Sequence, residues 1–298
     1  MSIIIDENTR LLIQGITGRF GELVTRNMLD SGTQVVAGVT PGRAGESVWG
    51  IPVFNTVREA MDGRGPIDTT LVIVPGPMVK KAAMEAIDEG IKTVVMEVER
   101  VPLHDALEVI GHAKASNVRL IGPGTGGISS AGKAVIGLIG SDPEVARTAF
   151  IPGRIGVISR SGGQTSTLAW VICNAGFGIS SAINLGSEPI LGTTFAELLP
   201  LFQADDDTDG IAYFGEMGTV MEEEAAEVIK EGGYTKPLVA YIAGRGLPSG
   251  LRFSHASAII EGGRGTPESK IKALKEAGAY VVEKPEDIGP TLKQIFKR

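Results

Sequence analysis

Short apolar runs and amphipathic segments alternate along the chain. RLLIQG is followed by GELVTRNMLDSG, QVVAGV by TVREAMDG, TTLVIVPG by VKKAAMEAIDEG, and KTVVMEV by LHDALEVIGHAKASN, with RLIGPG ending the series. Compact apolar runs trailed by segments of helical period predict strands and helices in a repeating βαβ order. That order implies a parallel sheet covered by helices on both faces. A less regular span, roughly 128 to 152, interrupts it. The order then restarts. RIGVIS precedes GQTSTLAWVICNAGFG, where Leu168, Ile172 and Ala175 share one helical face; SSAINLG precedes TTFAELLPLFQAD; and GIAYFGE precedes VMEEEAAEVIKEGG. KPLVAYIAG leads into a loop with HASAII, and SKIKALKEAG, AYVVEK and DIGPTLKQIF follow. The expected fold class is α/β, with two tandem doubly wound parallel-sheet domains over 1–125 and 126–298. Ligands of such sheets sit beyond the carboxyl ends of the strands. Attention therefore falls on GITGRFG, GVTPGRAG, SRSGGQT, FGEMGT and the histidine loop.

Composition narrows the class. With 298 residues, 43% hydrophobic and 21% charged, the chain has material for two cores of ordinary size. A net charge of −7 with no local Lys/Arg stripe argues against a nucleic-acid surface. The single cysteine, Cys173, precludes an internal disulfide and a multi-cysteine metal site, and its helical surroundings read as a buried structural thiol. No apolar run approaches the ~20 residues needed to span a bilayer. MSIIIDENTR lacks the regions of a signal peptide, so the cytoplasm is the expected compartment, with no membrane partner.

The first glycine loop places Gly15, Gly18 and Gly21 between a strand and a helix. Free N–H groups and the helix dipole at such a start favour an anion such as a pyrophosphate. The spacing is GxxGxxG rather than GxGxxG, which leaves a merely structural turn open. An NAD site wants an acid about 20 residues on. VVAGVTPGRAG offers Arg43 instead, which suits the phosphorylated ribose of coenzyme A or NADP, or else a solvated loop. No groups for hydride transfer are visible, so NADP is the weaker choice. VIVPGPM adds a rigid Pro75 turn after the third strand, and VVMEVER puts Glu97 and Glu99 after the fourth.

The second glycine loop, RIGVISRSGGQT, sets Ser159, Ser161, Gly162 and Gly163 at a helix start, another anion site by the same physics. It is neither a P-loop nor the GxSxG elbow of hydrolases. His255, with no acid or cysteine beside it in the chain, suits covalent phosphoryl transfer, since neutral imidazole is nucleophilic near its ordinary pKa of about 6.5. Such a ring needs a partner on its other nitrogen, and Glu216 emerges at a strand end of the same domain. MEEEAAEVIKE reads as a solvated helix face, and His104 and His112 as ordinary surface positions.

IDENT, QGITG, GVTPGRAG, IPVFNTVREA, VISRSGG, GEMG, EEEAAEVIKE, TKPLVAYIAG and HASAII, in this order, resemble the α subunits of NDP-forming succinate–CoA ligases along nearly the whole chain. The resemblance implies a Rossmann-like CoA-binding domain followed by a flavodoxin-like ligase domain bearing a phosphohistidine. It implies that His255 carries the phosphoryl group and Glu216 holds it. It assigns coenzyme A to Thr17, Gly18, Arg19, Phe20, Gly21, Pro41, Arg43, Val74, Pro75, Glu97, Val98 and Glu99; where this chain has Arg43 the family usually has lysine. It further implies an ATP-grasp β subunit, in an αβ or α2β2 assembly, that binds ATP or GTP with Mg2+. No metal site is expected in this chain.

Two departures fall in loops expected near the reacting carboxylate. Gly124, Thr125 and Gly126 replace Asn-Cys-Pro of the family's GPNCPG, and Ser166 stands where a tyrosine is usual. Gly124, Thr125, Gly163 and Ser166 are therefore the expected substrate contacts. An acid other than succinate is expected, polar or branched, hydroxylated, sulfonated or tricarboxylic. The rival reading is a catalytically dead CoA-binding or assembly protein.

Overall fold

Leu11, Leu12, Ile13, Leu71, Val72, Val94 and Val95 are wholly inaccessible to solvent, as continuous apolar strands covered on both faces must be. The computed structural model describes residues 2–245 and 263–297. In the first sheet β1 (Arg10–Gln14), β2 (Gln34–Val39), β3 (Ser47–Val48), β4 (Ile51–Phe54), β5 (Thr69–Val72), β6 (Thr93–Met96) and β7 (Arg119–Ile121) lie in the order β3-β4-β2-β1-β5-β6-β7. All pairs are parallel except β3–β4. Helices α1 (Arg19–Asp30), α2 (Val57–Arg64), α3 (Val79–Asp88) and α4 (Leu103–Ala115) make the crossovers.

The second sheet holds β8 (Gly127–Ser130), β9 (Ala134–Gly137), β10 (Pro152–Ser159), β11 (Ile179–Asn184), β12 (Gly210–Gly215), β13 (Leu238–Ile242) and β14 (Tyr280–Val282), ordered β14-β13-β12-β10-β11-β8-β9. The described helices here are α5 (Pro143–Ala149), α6 (Gly162–Asn174), α7 (Phe195–Ala204), α8 (Met221–Lys230), α9 (Pro267–Glu276) and α10 (Ile288–Phe296). From β10 onward the parallel strands run 2-1-3-4-5, the doubly wound order of flavodoxin. The irregular span corrects the expectation of a wholly parallel sheet. Its β8–β9 hairpin adds antiparallel to β11, because a tight turn needs no crossover helix.

That hairpin also fixes the two halves together. The Thr33 hydroxyl, just past α1, donates to Val135 O at 2.8 Å and accepts the Val135 N–H at 2.9 Å. Helix α1 is thereby held against the second sheet. The strand order reverses between β1 and β5 in one sheet and between β10 and β12 in the other, which is where doubly wound sheets take ligands. Among the described residues no helix is long and apolar enough to cross a membrane.

Candidate active site

The turn after β1 needs its glycines. Gly15 has φ +92°, and a Cβ there would lie 2.2 Å from Ile73 O; one at Gly21 would lie 2.4 Å from Gly15 O. Both contacts are impossible for any other residue, so the chain closes tightly against the end of β5 and the first turn of α1. Gly18 caps α1 without a side-chain bond, which leaves the first N–H groups open to a ligand. Thr17 reaches Thr40 across the switch point, Oγ1 to Oγ1, at 3.1 Å. Pro41 and Val74 line a cleft of about 280 Å³ with Gln14, Val39, Asn55 and Lys81. Pro75 precedes a short 3-10 turn (Gly76–Met78) on the neighbouring loop. Arg43 lies on the exposed loop after β2, its Nη1 2.9 Å from Glu46 Oε1.

Helix α6 begins in the same manner. Ser161 caps it without a side-chain bond, and its first turn carries no acid, so the N-terminal N–H groups keep their full pull on an anion. Ser159 was expected among the phosphate contacts and is not one in this geometry. It is fully buried at the end of β10, and its hydroxyl accepts the Ser161 N–H and donates to Ser161 O, both at 3.0 Å. It shapes the loop from behind. Arg160 is the residue that sequence reasoning passed over. Its guanidinium is wholly buried, donating to Thr219 Oγ1 at 3.1 Å and to Glu188 O at 3.0 Å. It thus ties this loop to the loop after β12, which carries Glu216. Ser159 and Phe214 are register partners, so both loops leave adjacent strands at the same end.

The start of α6 opens on a cleft of about 570 Å³ between the two sheets. Phe20 from α1, Glu97 and Glu99 from the turn after β6, Gly124 to 126, and Ser161, Gly162, Gly163 and Ser166 all line it. The structure thereby gathers most of the expected phosphate and substrate residues with part of the expected CoA set. Thr17, Pro41, Arg43, Val74 and Pro75 lie outside this cleft. The turn of Glu97, Val98 and Glu99 is anchored by the stretch that runs from the first sheet into the second. Val98 O accepts the Gly124 N–H at 3.0 Å, Met96 O that of Thr125 at 3.3 Å, and Glu97 Oε1 that of Leu138 at 3.2 Å. Burial pushes the Glu97 carboxyl up to about 8, only partly offset by the Leu138 N–H, and its Oε2 is buried with no hydrogen-bond partner among the described residues.

The two substituted positions behave differently. Thr125 is buried, and its hydroxyl turns inward, to Asn184 O at 2.5 Å and from the Gly127 N–H at 2.9 Å. It lends the cleft shape rather than the expected donor. The Ser166 side chain takes no hydrogen bond among the described residues and remains half-buried on the cleft wall.

Beneath Glu216 lies a network that corrects the reading of MEEEAAEVIKE. Glu222 and Glu223 are buried, not solvated. Lys270, on α9 and also wholly buried, sets its Nζ 2.5 Å from Glu222 Oε2, 2.7 Å from Glu216 O and 2.6 Å from Gly218 O. Tyr213 OH donates to the other Glu222 oxygen at 2.9 Å, while Glu223 Oε1 accepts from the Gly265 N–H at 2.9 Å and Ser269 Oγ at 2.8 Å. The Glu222 and Lys270 charges persist in the interior because they are paired and fully bonded. Lys270→Met should therefore lower stability by about 3–5 kcal/mol, because it strands the Glu222 charge. Lys270→Met combined with Glu222→Gln should recover part of the loss. Denaturant midpoints check this; an unchanged midpoint for the single variant would show that the pair is solvated.

His255 lies outside the described residues. His104 is exposed and His112 half-buried, its Nε2 2.6 Å from Asp88 Oδ1, on α4 and remote from the cleft lining. Cys173 is half-buried, its Sγ 3.3 Å from Ala149 O, and burial raises its thiol.

Residues 6–99 match the family model of a CoA binding domain, and residues 158–280 that of a CoA-ligase. The chain is 42% identical over 295 residues to the ADP-forming sulfoacetate-CoA ligase subunit SqwL of an Acholeplasma species, covering 99% of this chain and 98% of that one. It is 43% identical over 296 residues to succinate–CoA ligase [ADP-forming] subunit alpha 2 of Archaeoglobus fulgidus, covering 99% and 100%. Among solved structures, ATP citrate lyase from Methanothrix soehngenii, in complex with citrate and coenzyme A, superposes with a TM-score of 0.91 at 26% identity. The match covers 99% of this chain and 50% of that chain, so this protein spans half the length of the lyase.

Proposed function

The chain belongs to the CoA-ligase family, and from that premise we propose that it is the α subunit of an NDP-forming acid–CoA ligase. The observation that carries this reading is the cleft in which the open start of α6 meets the turn of Glu97, Val98 and Glu99. An anion site and an acyl-transfer site need to be one space, and here they share one wall.

Residues 1–125 bind coenzyme A and residues 126–298 form the ligase domain. The glycine turn fits a pyrophosphate, since its backbone is closed to any Cβ and its first N–H groups are uncapped. Thr17, Gly18, Arg19, Phe20 and Gly21 hold CoA there, with Pro41, Arg43, Val74 and Pro75 on its nucleotide end and residues 97–99 towards its thiol. His255 is the nucleophile, and Glu216 fixes its ring. Ser161, Gly162 and Gly163 receive the phosphoryl group at the start of α6. Gly124, Gly163 and Ser166 face the acid.

The reaction proceeds through three transfers. A nitrogen of His255 attacks the γ-phosphorus of the NTP, and the bond to the NDP oxygen breaks. A carboxylate oxygen of the acid then takes the phosphoryl group as the P–N bond breaks. The CoA thiolate adds to the acyl carbonyl, and inorganic phosphate leaves. Splitting one transfer into these steps lowers each barrier. A β subunit of ATP-grasp type, in an αβ or α2β2 assembly, supplies ATP or GTP, with Mg2+ to neutralise its phosphates. The compartment is the cytoplasm. The acid is polar, carries a second anionic or hydroxyl group, and is not succinate; a sulfonated acid suits the sulfoacetate-CoA ligase subunits among the relatives.

Titration of CoA into the isolated chain tests the cofactor half of this reading. The chain alone should bind CoA and form no acyl-CoA. Arg43→Ala should weaken CoA more than dephospho-CoA, by about 1–3 kcal/mol for a charge-assisted bond. Equal losses for both ligands would refute the pairing of Arg43 with the ribose phosphate.

A further inference from the structure

Glu97 stands at the end of β6 in a part of the cleft where the chain offers an anion little charge. Among the described residues no lysine or arginine lines that cleft, and its ionisable side chains are Glu97 and Glu99. An acid with a second anionic group must find hydrogen-bond donors there instead. The Thr125 hydroxyl is committed to Asn184 O, and the Asn184 amide is engaged by Gly126 N–H and Ser159 O. Glu97, by contrast, uses one oxygen for the Leu138 N–H and keeps Oε2 buried without a partner among the described residues. A buried orphan oxygen is costly, and a ligand that bonds to it removes that cost.

We infer that Glu97 is a specificity residue: it donates a hydrogen bond from its carboxyl group to the non-reacting anionic group, carboxylate or sulfonate, of the acid substrate. The inference rests on the acid–CoA ligase reading and moves Glu97 from the CoA contacts to the substrate contacts. Burial, with its raised titration near 8, keeps the group protonated at neutral pH, so it presents a proton and no negative charge. Among the described residues, the charged groups near it are Glu99 and Arg100 on its own turn and Glu188 from the loop after β11, whose carboxylate accepts the Arg100 N–H. The other facing elements bring the Leu138 amide, Gly124, and the Ser161 and Ser166 hydroxyls. Above the titration point the same side chain becomes an anion beside an anion. Discrimination by a hydrogen bond that the wrong substrate cannot make is the strong kind.

The test uses this chain assembled with its β partner, with sulfoacetate, succinate and propionate as acids and pH varied from 7 to 9. For the best of the two dianionic acids, KM should rise about tenfold across that range as the protonated fraction falls, while KM for propionate and for CoA stays level. Glu97→Gln, which keeps a donor and the side-chain shape, should flatten the pH dependence. Glu97→Ala should raise KM for the dianionic acid at pH 7 about ten- to a hundredfold more than it raises KM for propionate. Any of three results overturns the inference. A rate with every acid that rises with pH and collapses in Glu97→Gln would make Glu97 a base for the CoA thiol. The KM for CoA could move in place of that for the acid. Or the profile could be the same in wild type and Glu97→Gln. Turnover of any acid by the wild-type assembly upholds the ligase reading independently of these outcomes; turnover of none would sink that reading and the inference with it.

Discussion

Assembled with its β partner and offered succinate, sulfoacetate, a hydroxylated diacid and citrate, the chain should turn over an acid other than succinate with the highest kcat/KM. Ser166→Tyr should then shift preference back towards succinate. The physical basis is volume and polarity at one wall. A serine in place of a ring leaves space on the first turns of α6, and its hydroxyl has no partner among the described residues, so it is free to meet a polar substituent. Shape alone discriminates about 10–200-fold, and unpaired polar groups extend that by further orders of magnitude. The loop of Gly124, Thr125 and Gly126 opposes Ser166 and adds space without adding the Thr125 hydroxyl, which is locked to Asn184. If succinate leads every other acid by tenfold or more, the reading of these two loops is wrong.

The patterning made the architecture legible because both sheets are buried on both faces. Runs such as LLI, LVIV and TVVM have no other environment in which to lie, and the glycines after them mark the ligand-facing ends. The β8–β9 hairpin escaped because its strands are short, partly serine, and joined by a tight turn with no helix between them. The acids of α8 escaped for a different reason. Glu222 and Glu223 look solvated in the sequence because their partners, Lys270 and Ser269, come from a helix dozens of residues later. A buried ion pair leaves no local signature; the one available hint was Lys270 on the apolar side of SKIKALKEAG. The site's backbone was legible, its hydrogen bonding less so. Ser159 and Thr125 are hydroxyls at the expected places that point the unexpected way. Arg160 went unnoticed because an arginine in a loop reads as solvated until its burial is seen. Glu97 looked like any strand-end acid, and its protonation follows from burial that no stretch of sequence displays.

The proposed phosphorylation of His255 is tested most directly by labelling. The chain is mixed with its β partner and NTP labelled at the γ-phosphorus, without acid or CoA, and the label on this chain is counted and mapped. One acid-labile, base-stable phosphate should appear on His255 and be discharged when acid and CoA are added. His255→Asn should take up none while still binding CoA, since the residues proposed to hold CoA lie within the CoA binding domain match, 6–99. Label that persists in His255→Asn, or that maps to any other residue, would contradict the proposal.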